Sequence, residues 1–364
     1  MIHLQRTHCS NFIRIFCVVA GAGLALLACH DGASGPNLGD MAMSMPGVDL
    51  AMTPMDAEPG QPHDAGTMHD AATGDMAQSP PIDMSQRSGA GWMGTLPATT
   101  SLAALSIPGT HDSGARIENS PGTLKCQDLS IADQLGAGVR YLDIRVRNVN
   151  NAFEVYHTTL DQNLSFDAVL QSIADFYAAH PGEAILMSFK EEQPATGSTN
   201  SFEQTFDAYV SAHPERWYLA ASVPTLAQAR GKIVLLRRFA TGAAPKGIDV
   251  TNWPDNVTFG IDSADAHLRI QDYYEVSDDD AKWASITGLF TEAKAASASV
   301  LYLNNTSAYL PLAGGVEDIL GVSNVINPKL VTYFMANRSG RFGIVAMDFA
   351  DVQKSALIIA TNFP

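Results

Sequence analysis

Val139-Arg140-Tyr141-Leu142-Asp143-Ile144-Arg145 reads as a short apolar strand running into a permanently charged guanidinium. The design recurs along the chain. Leu102 to Ile107 leads to His111, Phe153 to Tyr156 leads to His157, and Ala184 to Phe189 leads to Lys190. Lys232 to Leu236 leads to Arg237 and Arg238, and Phe342 to Met347 leads to Asp348. Between these runs lie segments of helical period. In Ser165 to His180, Phe166, Val169, Leu170, Ile173, Phe176 and Tyr177 recur at three- and four-residue steps, with Ser165 as N-cap and Pro181-Gly182 as the stop. Further helices are expected at Phe202 to Ala212, Asp280 to Ala296, Pro328 to Asn337 and Val352 to Thr361. Strands alternating with helices imply an α/β fold with a parallel sheet. Strands that each end in an ionisable residue imply a (β/α) TIM-type barrel, irregular or incompletely closed. That architecture gathers its site from the C-terminal ends of strands distant in sequence. An open doubly wound sheet is the alternative, and would spread fewer of these groups around one centre.

Composition narrows the partners. The chain has 364 residues, 46% of them hydrophobic, ample for one large catalytic domain. Its 22 basic against 38 acidic residues give a formal charge of -16, which argues against nucleic acid and against steering toward an anionic bilayer. Arg6 and Arg14 precede an apolar run from Ile15 to Ala28, too short for the roughly 18 residues a membrane-spanning helix needs. Residues 1–28 are therefore expected to be an export signal. Leu26-Leu27-Ala28-Cys29 resembles the lipobox of bacterial lipoproteins, which makes Cys29 the expected lipidation site and the mature protein either envelope-anchored or secreted. Residues 29–90 are rich in Met, Asp, Gly, Pro, Ala and Ser, repeat Gly-Asp-Met-Ala at Gly39 and Gly74, and show no structural period; a disordered tether is expected, leaving 91–364 as the catalytic domain. Of the four cysteines, Cys9 and Cys17 fall in the signal, so Cys126 is left without an intramolecular partner. Asp278-Asp279-Asp280 reads as a helix N-terminal cap, and His213 and His267 as surface residues.

Two histidines, an arginine and several carboxylates at strand ends, with no ligand cluster at metal spacing, suit acid–base chemistry on a phosphodiester. An attacking alcohol must lose a proton, a leaving alkoxide must gain one, and charge on the phosphoryl oxygens must be stabilised. Histidine serves both proton roles near neutral pH, and the arginine fork matches two phosphoryl oxygens. Read singly, His111 is a turn residue after Gly109 and His157 a core histidine; their shared placement at strand ends favours the site.

Ser106-Ile107-Pro108-Gly109-Thr110-His111-Asp112-Ser113-Gly114, Tyr141 to Arg147, Val155-Tyr156-His157 and Gly231 to Arg238 together resemble the bacterial phosphatidylinositol-specific phospholipase C enzymes. The resemblance runs from about Leu96 to the C-terminus and includes Trp253-Pro254-Asp255-Asn256 and Ile270 to Tyr274. It implies His111 as general base on the inositol 2-hydroxyl with Asp348 orienting it, and His157 as general acid with Asp112 as its partner. Arg145 becomes the phosphate-stabilising cation. Calcium-dependent members carry a carboxylate there, so the resemblance implies metal-independent chemistry and no cofactor. Lys190, Arg238 and Asp272 are implied to hold the inositol hydroxyls and Tyr274 to stack on the ring. Gly109 and Thr110 are expected to turn the chain so that His111 faces the substrate.

A phosphatidylinositol-containing membrane or micelle is the implied partner, and a monomer the expected state. Members from Gram-positive sources carry exposed tryptophans after the first motif, whereas Arg116 to Gln127 here holds no aromatic residue. Membrane proximity is thus expected from the Cys29 tether. A lipid-anchored protein that binds inositol head groups without turnover is the alternative. A metal-dependent glycerophosphodiesterase would want acidic ligands where Arg145 and Lys190 stand.

Overall fold

The computed structural model describes residues 89–363 apart from 243–244 and 314–315. The expected export signal, Cys29 and the tether up to residue 88 lie outside the described residues. Among the described residues fourteen strands are formed: β1 (Ser106–Thr110), β2 (Tyr141–Val149), β3 (Ala152–His157), β4 (Leu160–Ser165), β5 (Ile185–Thr196), β6 (Trp217–Tyr218), β7 (Ile233–Arg238), β8 (Ile248–Asp249), β9 (Thr258–Asp262), β10 (His267–Gln271), β11 (Val300–Asn305), β12 (Leu310–Leu312), β13 (Val316–Asp318) and β14 (Gly343–Met347). Seven helices join them: α1 (Ile131–Gly136), α2 (Phe166–Ala179), α3 (Phe202–Ala212), α4 (Leu226–Ala229), α5 (Asp279–Ala295), α6 (Ile319–Ala336) and α7 (Val352–Ala360).

The main sheet runs β6-β7-β5-β2-β1-β14-β11-β10-β9, and every neighbouring pair is parallel except β10 with β9. Neither β9 nor β10 pairs with β6, β7 or β8 among the described residues, so the barrel is curled but incompletely closed.

Side-chain parity divides the core into two layers. Leu142, Ile144 and Val146 of β2, Met187 and Phe189 of β5 and Val345 and Met347 of β14 join an outer layer with Ile131, Val169, Phe206, Ile286 and Phe334 from the helices. Tyr141, Leu186, Val234, Leu236, Ile270, Leu303, Ile344 and Ala346 fill the barrel interior. The floor is sealed by the chain entering the domain. Trp92 Nε1 donates to the Gly138 carbonyl at 3.0 Å, and the Met93 and Gly94 N–H groups donate to Glu183 at 3.2 and 2.6 Å. Glu183 is buried and pairs with buried Arg140 at 2.8 Å, just before β5 and β2 begin.

Several expected boundaries are corrected. Leu102–Ala104 is a 3-10 turn, and β1 begins only at Ser106. The helix expected from Pro328 starts at Ile319, because Ile319, Val322, Ile326, Leu330 and Phe334 make one continuous buried stripe that outweighs the lost N–H of the proline. Arg145 and Lys190 lie inside β2 and β5, which continue to Val149 and Thr196. His157 ends a strand that is antiparallel to β2, part of a hairpin extension with β4. Gly109 does not turn the chain: it sits within β1, where a Cβ would lie 2.8 Å from the Tyr141 ring of the next strand. The turn comes at Asp112, whose φ of 39° is left-handed.

Candidate active site

The same parity decides what reaches the cavity. Inward positions continue upward from the apolar interior as Gly109 and His111 after Ile107, Asp143 and Arg145 after Tyr141, and Ser188, Lys190 and Glu192 after Leu186. Arg238 follows Leu236, Asp272 follows Ile270, and Asp348 follows Ala346 in the same way. Most of these side chains rim a cavity of about 420 Å³ that also takes in His157, Trp253, Tyr274 and Tyr309.

Five side chains form an unbroken chain of contacts at its floor. His111 Nδ1 faces Asp348 Oδ1 at 2.9 Å, and His111 Nε2 faces Arg145 Nη2 at 2.9 Å. The carboxylate and guanidinium fix the tautomer: Nδ1–H donates to Asp348, and Nε2 is the lone-pair nitrogen. Arg145 Nη1 reaches Asp112 Oδ2 at 3.1 Å, and His157 Nε2 lies 3.5 Å from that same oxygen. The other nitrogen of His157 meets the Leu124 carbonyl at 2.7 Å, so a ring protonated on both nitrogens satisfies both contacts. Strain supports this arrangement. The left-handed Asp112 backbone turns a fully buried carboxylate back beneath Arg145 and His157.

Charge balance follows from burial. Burial lowers the pKa of His111, but Asp348 outweighs it and the net displacement is upward. Burial pushes Asp112 up and Arg145 only partly opposes it, so this carboxyl titrates above the usual range. Burial also raises Asp143, but Arg145 and Arg238 outweigh it and hold its carboxyl well below that range. Asp143 accepts from Arg145 Nη2 at 2.9 Å and Nε at 3.0 Å. Burial works against the charged Arg145, yet Asp143 and Asp112 hold the guanidinium firmly protonated.

The four residues expected around an inositol ring line the same cavity. Lys190 Nζ pairs with Glu192 at 2.7 Å, and the Arg238 guanidinium lies 3.8 Å over the Trp253 ring. Asp272 accepts from Trp253 Nε1 at 2.7 Å and from Asn305 Nδ2 at 3.0 Å. Tyr274 donates to Asp255 Oδ1 at 2.6 Å, with its ring 5.9 Å from that of Tyr309. His213 and His267 are exposed, away from the cavity, and Asp278 caps α5 by accepting from the Ala281 N–H at 2.7 Å.

Sequence reasoning gave neither Glu192 nor Asp143 a place in the site; continuing the inward parity of β2 and β5 would have found both. It also missed Lys282 of α5, fully buried, whose Nζ donates to the Tyr273 and Asn305 carbonyls at 2.7 Å each and to Gln271 Oε1 at 3.3 Å. Burial brings its pKa down to about 7 against the pull of Asp272 and Asp348. Residues far apart in sequence also meet beside the base: His111, Cys126 and Asp348 bring one N, S and O ligand atom each within 4.8 Å of one another. Burial, then Asp348 and Asp112, hold the Cys126 thiol well above its usual pKa, which makes it a poor nucleophile.

A curled, mainly parallel sheet with two histidines, an arginine and several carboxylates gathered in one cavity at its upper rim places the molecule among the (β/α)-barrel enzymes. Residues 105–239 match the family described as phosphatidylinositol-specific phospholipase C, X domain. The chain is 31% identical over 282 residues to a 1-phosphatidylinositol phosphodiesterase of Listeria monocytogenes, covering 74% of this chain and 84% of the relative. A protein of the same description from Staphylococcus aureus strain Newman is 30% identical over 290 residues, covering 74% and 90%. A solved structure of the Staphylococcus aureus phosphatidylinositol-specific phospholipase C superposes with a TM-score of 0.67 at 28% identity, covering 76% of this chain and 99% of that one. The Listeria monocytogenes phosphatidylinositol-specific phospholipase C gives 0.63 at 29% identity, covering 75% and 98%. The chain belongs to the phosphatidylinositol-specific phospholipase C family.

Proposed function

We propose that the protein cleaves phosphatidylinositol to diacylglycerol and inositol 1,2-cyclic phosphate, then hydrolyses the cyclic product slowly. The observation that carries this reading is the contact chain Asp348–His111–Arg145–Asp112–His157 along one cavity floor. His111 Nε2 takes the proton of the inositol 2-hydroxyl as that oxygen attacks phosphorus. Asp348 holds the ring in the required tautomer and stabilises the imidazolium that forms. His157 gives its Nε2 proton to the departing diacylglycerol oxygen. Arg145, already close to His111, supplies the cation for the phosphoryl oxygens, so the reaction is written without a metal. Lys190, Arg238 and Asp272 offer polar groups for the ring hydroxyls, and Tyr274 a face for the ring.

A mouth suited to lipid supports the reading. The β12–β13 hairpin and the start of α6 bring Tyr309, Glu317 and Ile319 to the cavity, while Leu312 and Val316 of the same hairpin are 49% and 42% exposed. None of the four tryptophans is exposed, and none of the described helices is long and apolar enough to cross a membrane. Interfacial contact would then be aliphatic, with residues 29–90 as a tether from a lipidated Cys29 and the chain acting as an exported monomer.

Incubation of residues 91–364 with phosphatidylinositol micelles in the presence of a chelator, followed by phosphorus resonance, tests the proposal. A cyclic phosphate signal is the expected result. Absence of turnover in chelator and in calcium, with inositol binding retained, would favour the head-group-binding alternative.

A further inference from the structure

Behind the base lies chemistry that phosphodiester cleavage does not use. Cys126 is free and fully buried, in a small apolar cluster with Ala115 and Ile319, and its sulfur stands beside the Asp348–His111 pair. Asp348 is 2% exposed; its Oδ2 lacks a strong hydrogen-bond donor among the described residues, and the weak donor beside the carboxylate is the Cys126 thiol. A cation in place of that thiol proton fits this buried carboxylate better. From these observations the structure assigns His111, Cys126 and Asp348 as a binding site for a zinc-class divalent cation, whose occupancy switches the enzyme off.

The ligand set selects the metal. One nitrogen, one sulfur and one carboxylate oxygen suit zinc, whereas calcium and magnesium want oxygen donors alone. Donor atoms around tetrahedral zinc stand about 3.2–3.7 Å apart, given bonds of about 2.0–2.3 Å. Here Nδ1 and Oδ1 are 2.9 Å apart, and all three ligand atoms lie within 4.8 Å, so shifts of about an ångström or less complete the site. His111 and Asp348 line the cavity and give an ion its way in. Arg145 opposes a cation here, but its charge is already matched by Asp143 at 2.9 Å and Asp112 at 3.1 Å. On binding, the ion takes Nδ1 while the His111 ring proton moves from Nδ1 to Nε2, and the Cys126 thiol proton is released to solvent. With the metal on Nδ1 and the proton on Nε2, the ring loses its bond to Asp348 and has no lone pair left to accept the 2-hydroxyl proton.

The inhibitory consequence rests on the proposed role of His111; the binding site does not, and the experiment separates the two. Purified protein is titrated with cobalt(II) as a spectroscopic substitute and with zinc(II) during turnover of phosphatidylinositol. A thiolate-to-cobalt charge-transfer band is expected, absent in Cys126→Ser, Cys126→Ala and His111→Ala. Zinc is expected to slow wild-type turnover by about tenfold or more, reversibly with chelator, while both Cys126 variants keep most of theirs, since losing a ligand costs at least about tenfold in affinity. Equal zinc inhibition of wild type and Cys126 variants, or the same cobalt spectrum in all of them, would overturn the assignment. A cysteine-dependent cobalt band without any turnover would support the site and defeat the proposed reaction instead. Circular dichroism of each variant establishes that it is folded.

Discussion

His111 and His157 differ in what they touch, and this divides their work. His111 is held between a carboxylate and a guanidinium, leaving a lone pair on Nε2; His157 faces oxygen on both sides and is set up to carry two protons. His111→Ala and His157→Ala should each lower diacylglycerol release by about 10²–10⁴-fold without loss of fold, measured by initial rates beside circular dichroism. Near-full activity in either would refute the assigned proton roles. Arg145 contacts His111, Asp112 and Asp143 at once through a planar fork of nitrogens, which an ammonium cannot do. Arg145→Lys is therefore expected to reduce kcat by about 10²-fold or more with a smaller change in KM, as expected for a charge that acts mainly in the transition state. An effect confined to KM would instead make Arg145 a binding group.

Among the elements, the β12–β13 hairpin and α5 act on the cavity from different sides. Leu312→Asp with Val316→Asp should weaken binding to phosphatidylinositol vesicles and slow turnover there, while leaving hydrolysis of the soluble cyclic phosphate nearly unchanged. Sedimentation of protein with vesicles reads the first effect, and a rate loss on the soluble substrate would place the hairpin in the chemistry. Lys282 on α5 lies beneath the segment carrying Asp272 and Tyr274. Its folded pKa is lowered to about 7, whereas an unfolded lysine holds its proton to about 10.4. The unfolded chain binds more protons throughout that window, so this residue's contribution to stability rises with pH, at about 1.4 kcal/mol per pH unit. Urea unfolding of wild type and Lys282→Met at pH 7, 8 and 9 should show the steeper rise in wild type. Parallel pH dependences would mean that Lys282 stays charged when folded.

The whole molecule keeps its cavity open at one end of the sheet and its chain entry closed at the other. Glu183 joins Arg140 to the N–H groups of Met93 and Gly94 across the floor, with both charged partners out of water. Removing one member of such a pair leaves an uncompensated buried charge, so Glu183→Gln should cost about 3–5 kcal/mol of unfolding free energy with KM unchanged. A loss below about 1 kcal/mol in urea unfolding, the scale of a surface pair, would show that the floor is not sealed in this way. The strand-to-helix alternation, the inward parity and most of the site residues were legible in the sequence because each is a local property of period two or 3.6. His111, Arg145, Lys190, Arg238 and Asp348 announce themselves as charges that follow apolar runs. Sequence alone settled the α/β class and most of the charged residues that follow the apolar runs. It did not settle where strands stop, because β2 and β5 run past the barrel rim to pair with each other and with a hairpin. Nor could it show who meets whom: His111 and Asp348 are 237 positions apart, and only the β1–β14 pairing brings them together. Cys126, solitary in the sequence, lies behind that pair for the same reason. Local periods direct each side chain to a face, whereas contacts between faces depend on strand order and register, which only the folded sheet supplies.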